Sequence, residues 1–213
     1  MTIQTTTRKT FSSDDVNSLF TPPPRRPTTL ETFEISRARL ADAKLAPIDM
    51  FDRFAKRLPP DGTPFLLVPP QPGRLANMDW NEHMARVQLN GQTGRNYLTV
   101  SELTDLDSVV SVPRMLVNVE DGRQRLNIEP TATQTDITSA GRFGYGLWTG
   151  YIHTMVFTQV LDHHYMDFVR SRYSFDHVPY LYLSDGLPAL NAHWCGYPYP
   201  RWGAPSFGGA VEI

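Results

Sequence analysis

Apolar side chains fall into three regimes along the chain. Between residues 30 and 58 they recur at helical spacing. Leu30, Phe33, Leu40, Ala41 and Leu45 predict a helix over 30–45, opened by the capping-box pair Thr28 and Glu31 and closed by Pro47. Met50, Phe51, Phe54 and Leu58 predict a second helix capped by Asp49 and stopped by Pro59-Pro60. From residue 64 the pattern changes to short runs and alternation. Phe65–Val68, bounded by prolines, reads as a buried strand, and residues 69–80 read as irregular. Hairpins are expected across 90–94, joining 87–89 to 97–100, and across Asp121-Gly122, joining 115–119 to 125–128. A third hairpin is expected across Asp185-Gly186, joining 180–183 to 190–194. Between the hairpins lie two helical stretches, 131–140 closed by Gly141, and 149–161. Residues 196–209 read as ordered loop. Helices set apart from hairpins predict an α+β fold, with N-terminal helices and a mainly antiparallel sheet built from hairpins.

Residues 1–29 fit none of these regimes. They are rich in Thr, Ser and Pro and contain Pro22-Pro23-Pro24-Arg25-Arg26-Pro27, a run that favours extended polyproline II. The division expected is therefore a flexible arm over 1–29 and a single α+β domain over 30–213. Phe11, Val16, Leu19 and Phe20 give the arm apolar side chains with which to dock on the body or join a homo-oligomer.

Composition removes several function classes. The 213 residues carry 20 Lys and Arg against 22 Asp and Glu, a net charge of -2, so no long-range field draws nucleic acid or an anionic membrane. No apolar run reaches the roughly 18–20 residues that span a bilayer. One cysteine excludes an internal disulfide and points to the cytoplasm. The glycines of Gly141-x-x-Gly144-x-Gly146 lack the Lys and Ser/Thr of a phosphate-binding loop.

A set of short motifs occurs in a fixed order. Pro64–Val68 is followed by Asn118-Val119-Glu120-Asp121-Gly122-Arg123, Leu126-Asn127-x-x-Pro130 and Gly141-Arg142. Then come Arg170-Ser171-Arg172, Val178-Pro179-x-Leu181-x-Leu183-Ser184, Trp194-Cys195-Gly196-x-Pro198 and Gly208-Gly209. In this order the chain resembles the bacterial domain-of-unknown-function family 5701 over roughly residues 50–210. The resemblance brings no assigned reaction, cofactor or catalytic residue. The chain departs from the family pattern after Cys195, where tyrosine and proline crowd and no histidine stands near Tyr199.

Candidate chemistry concentrates late in the chain. His153, His163, His164, His177 and His193 are five of the six histidines. None has metal-ligand spacing to another, so no metal and no cofactor are expected. On the last hairpin, alternation puts Leu190, Ala192 and Trp194 on one face and Asn191, His193 and Cys195 on the other. With the apolar face on the core and Trp194 packed inward, His193 would face a hollow lined by Tyr180 and Tyr182. These three are the catalytic candidates, His193 as proton donor or acceptor. Trp194, Tyr199, Arg201, Trp202, Arg142 and Arg172 are the substrate-binding candidates, aromatics giving area and guanidinium groups holding an anion. Arg142, Arg170, Arg172 and Arg201 would form such a clamp only if the fold converges them.

Two function classes fit. One is a small-molecule enzyme using cofactor-independent acid–base catalysis, a cyclase, isomerase or similar tailoring step in bacterial specialised metabolism. The other is a non-catalytic binding or assembly subunit that uses its aromatic surface and N-terminal arm.

Overall fold

A computed structural model describes residues 27–212; the expected arm up to residue 26, and the oligomer contact assigned to it, lie outside the described residues. Helix α1, Thr29–Asp42, starts on Thr28, whose hydroxyl accepts the Glu31 N–H at 3.2 Å while the Thr28 N–H donates to Glu31 Oε2 at 2.8 Å. Both halves of the capping box are thus made, so Thr28 and Thr29 belong to the domain rather than the arm. Phe33, Ser36 and Leu40 form its buried stripe, and Leu30 turns outward. The second expected helix is a 3-10 helix, Asp52–Arg57, with Phe51 and Phe54 buried.

Strand β1 (Phe65–Val68) is buried at every position, as its apolar run requires. The stretch read as irregular instead contains α2, Trp80–Arg86, capped by the Asp79 carboxylate accepting from Glu82 N at 2.9 Å. The hairpin expected over 87–100 is smaller. Strands β2 (Gln88–Leu89) and β3 (Gln92–Thr93) close on Asn90-Gly91, both at positive φ. Strand β4 (Arg95–Asn96) then runs parallel to the last hairpin, and β5 (Leu103–Asp105) follows a 3-10 turn.

Strand β6 (Arg114–Val117) does not pair with 125–128. It lies between β1 and the C-terminal strand β14 (Gly209–Glu212), antiparallel to both. With both edges of β6 occupied, residues 123–125 fold as a 3-10 turn. Helix α3 (Pro130–Ser139) begins one residue earlier than expected, on a proline, and has Gly141 at φ 68 beyond its end, as expected. Strand β7 (Phe143–Gly144) leads into α4 (Leu147–Val156), which is shorter than its apolar pattern and is continued by a 3-10 turn to Asp162. Eight of the ten residues of α4 are buried, so it runs through the core rather than over it. Gly150 permits this: a Cβ there would stand 1.8 Å from the Phe168 ring.

The larger sheet contains β8 (Tyr165–Asp167), β9 (Ser171–Tyr173), β10 (His177–Ser184), β11 (Leu187–Trp194) and β12 (Trp202–Gly203). The β10–β11 hairpin turns on Asp185-Gly186 at φ 52 and 81, the mirror-image turn the sequence predicts. The stretch read as loop over 196–209 contributes β12, β13 (Ser206–Phe207, paired with β7) and the start of β14. The fold is α+β with mainly antiparallel sheets. One apolar cluster runs from Phe33 through β1, α2 and α4 to Leu181 and Leu190.

Candidate functional site

The register of the larger sheet fixes two faces. Leu181 stands opposite Leu190 and Met166, and these pack on the core. Tyr180 stands opposite Asn191 and Asp167, and Val178 opposite His193, so Tyr180, Tyr182, Asp167 and His193 share the other face. This is the parity the sequence predicts. Tyr165 and Trp202 join from β8 and β12, and Tyr199 closes over His193 edge-on at 5.0 Å between ring centroids. The guanidinium of Arg201 lies 4.8 Å from the Tyr165 ring centre. Six of the nine expected site residues therefore meet in one place: His193, Tyr180, Tyr182, Tyr199, Arg201 and Trp202.

The place they meet is filled. His193 is 8% exposed, and Tyr180, Tyr199 and Trp202 all contact its ring. Its Nε2 lies 2.8 Å from Asp167 Oδ1, and its Nδ1 lies 3.1 Å from the Trp194 carbonyl. A carbonyl only accepts, so Nδ1 carries hydrogen and donates. One further proton is held on the line between Nε2 and Oδ1. Burial pushes the Asp167 carboxyl up from its ordinary range, while the hydrogen bond and charge of His193 pull it down. No ring nitrogen of His193 is left for a substrate, and the hollow expected in front of it is occupied by aromatic rings. Burial also pushes the Tyr180 hydroxyl far above its ordinary value, which keeps it a neutral donor.

Three expected binding residues lie elsewhere. Trp194 is not packed inward: it sits at the end of β11, opposite His177, on the face away from His193, and is 51% exposed. The core ends before it, so strand parity no longer buries it. Arg172 donates to the Val169 and Ser171 carbonyls and to Gln134 Oε1, bracing α3. Arg142 lines a separate cleft of about 560 Å³ together with Arg170 and with Arg114, which sequence reasoning missed. Of the four arginines expected to converge, only Arg142 and Arg170 do so. Cys195 is half-buried, and its backbone holds Thr131 and Asp176.

A second cavity of about 470 Å³ lies where α1, the start of β1 and the loop after β6 meet the buried helix α4. Its walls are Pro64, Phe65, Val119 and Phe157, with Thr29, Thr32, Thr63 and Gln124 as polar points. His153 of α4 forms part of its lining, beside Glu120, Asp121 and Arg123. The Nδ1 of His153 is 3.2 Å from the hydroxyl of fully buried Tyr145, and Nε2 has no hydrogen-bond partner among the described residues. Burial lowers His153 to about 4, against a smaller upward pull from Asp121. His164 stands nearby, bonding the Asp121 carbonyl through Nε2 at 2.7 Å, and its Nδ1 is buried without a partner.

Asp167 is absent from the sequence reading, and His153 is named there only among the clustered histidines, without a site role. Each carries a signal: a carboxylate inside the apolar run Met166–Val169, and an imidazole inside a helix too apolar to be amphipathic. Among the described residues, no group of three or more His, Cys, Asp or Glu side chains comes together as a metal site.

No protein-family model, curated protein or solved structure matches the chain significantly.

Proposed function

We propose that the chain is a small-molecule enzyme working by cofactor-independent acid–base chemistry, with His153 in place of His193 as the proton-transferring group. The supporting observation is the division of its ring: Nδ1 is held by Tyr145 and Nε2 is unclaimed beside a ligand-sized cavity. A tyrosine hydroxyl both donates and accepts, so Tyr145 supports either neutral tautomer. His153 can therefore present Nε2 as a proton acceptor or Nε2–H as a donor, and a proton taken at Nε2 charges the ring, a charge that Asp121 in the lining favours. The apolar walls with scattered hydroxyls suit an uncharged substrate with an apolar body. Proton relocation in a cyclase- or isomerase-type step of bacterial specialised metabolism is the reaction class, and the resemblance to family 5701 belongs with this reading. In this reading the protein works in the cytoplasm.

The test pairs binding with turnover. Candidate substrates found by thermal shift should move the Nε2 resonance of His153 in histidine-labelled protein. His153→Gln should lower turnover by about 10²–10⁴-fold with the circular dichroism spectrum unchanged. Ligands that leave His153 untouched, or full turnover in the variant, would overturn the assignment.

The assembly reading has one observation of its own. Phe175 is 100% exposed at the β9–β10 turn, and Trp194 and Tyr197 are half exposed. Phe175→Ser should dissociate a homo-oligomer in light scattering if these rings are its contact.

A further inference from the structure

We infer that the cleft lined by Arg114, Arg142 and Arg170 is a binding site for a planar organic carboxylate, distinct from the His153 cavity. The two cavities share no lining residue.

Each guanidinium is anchored but incompletely used. Arg170 grips Asp107 through Nε at 3.0 Å and through Nη2. Arg142 donates from Nε to Ser206 Oγ at 2.9 Å and from Nη2 to the Asn118 carbonyl at 2.6 Å. The Nε of Arg114 lies 2.6 Å from Glu212 Oε1. Among the described residues, Nη1 of Arg142, Nη1 of Arg170 and both Nη groups of Arg114 have no partner. Three side chains whose positions are fixed by neighbours thus keep charged donors free beside one cleft, which is the pre-organisation that oxyanion binding needs.

The acids of the cleft leave these donors open. Asp107 is held by Arg170, and Asp105 accepts from Gln71 Nε2 and Leu75 N, each at 3.1 Å. Each arginine is matched by a carboxylate, Arg170 by Asp107, Arg114 by Glu212 and Arg142 by Glu120 at 3.4 Å, so what the cleft offers an oxyanion is unpartnered guanidinium N–H donors rather than a surplus of charge. The apolar part is planar. Phe143 and Phe207 stack at 5.3 Å between ring centroids and 24° between planes, and the Trp148 indole is fixed by its N–H on the Pro69 carbonyl at 2.9 Å. A ring laid on these surfaces brings a carboxylate to the arginines.

The experiment is an amide NMR titration of the wild-type chain with benzoate, benzyl alcohol and phenyl phosphate. Benzoate should shift the amides of Gly144, Gly146 and Trp148 saturably. Benzyl alcohol, which keeps the ring and lacks the charge, should bind about tenfold or more weakly, as the loss of a charged hydrogen bond implies. Arg142→Met should weaken benzoate by a similar factor. Benzoate and benzyl alcohol titrating alike, shifts confined to other regions, or a folded Arg142→Met that binds benzoate as wild type would overturn the site. Phenyl phosphate binding tenfold tighter than benzoate would overturn the carboxylate class. The comparison of the three probes on the wild-type chain decides even if the variant misfolds.

Discussion

His193 shows how far a residue's chemistry depends on what its atoms already touch. Its strand parity and its company of Tyr180 and Tyr182 were legible from alternation alone. Its partner was not, because Asp167 lies 26 residues away on a strand that alternation cannot register against β11. With both ring nitrogens engaged, the imidazole and carboxylate act as a buried shared-proton pair that ties β8 to β11. Removing one member leaves the other buried and uncompensated, so His193→Phe should cost about 3–5 kcal/mol in urea unfolding. The double variant Asp167→Leu/His193→Phe should cost less than the sum of the two single changes. A single-variant loss under about 1 kcal/mol would show that the pair is not the tie described.

At the scale of elements, local grammar succeeded where nothing distant competed. Thr28 and Glu31 predicted the start of α1, and Asp185-Gly186 predicted the β10–β11 turn. Thr28→Ala should lower stability by about 1 kcal/mol, measured by denaturant midpoint, because it removes the acceptor for the Glu31 N–H. Asp121-Gly122 has the same dipeptide and a different fate. Gly122 has φ 104, and a Cβ there would meet the Gly203 carbonyl at 2.7 Å. The dipeptide serves a close backbone crossing rather than a hairpin, because β14 arrives from the far end of the chain to take the edge of β6 that residues 125–128 were expected to fill.

At the scale of the whole molecule, burial makes the protein acid-sensitive. Desolvation lowers His83, His153 and His164, His153 to about 4 from an ordinary 6.5. Near neutral pH these rings are uncharged in both folded and unfolded chains, and they impose no penalty. Below about 6.5 the unfolded chain takes up protons that the folded His153 refuses until about 4. Stability should therefore fall as the pH drops through that window, by about 3 kcal/mol from His153. Asp167 works in the opposite sense, since its carboxyl is pushed up and takes its proton more readily when folded. Urea unfolding of wild type and His153→Gln at neutral pH and near pH 4 isolates the His153 share. An equal acid loss in both proteins would contradict it.

What the sequence determined by itself was written within a few residues: the first helix cap, the Asp185-Gly186 turn, the α+β class and the alternating faces of the last hairpin short of Trp194. These follow from backbone sterics and from periodicities of 3.6 and 2, which act locally. The tertiary structure alone decided which strand flanks β6, that α4 runs through the core, and that the cavity opens on His153 while His193 is sealed. Those outcomes depend on which distant surfaces fill or leave space against each other, and volume has no signature in the order of residues.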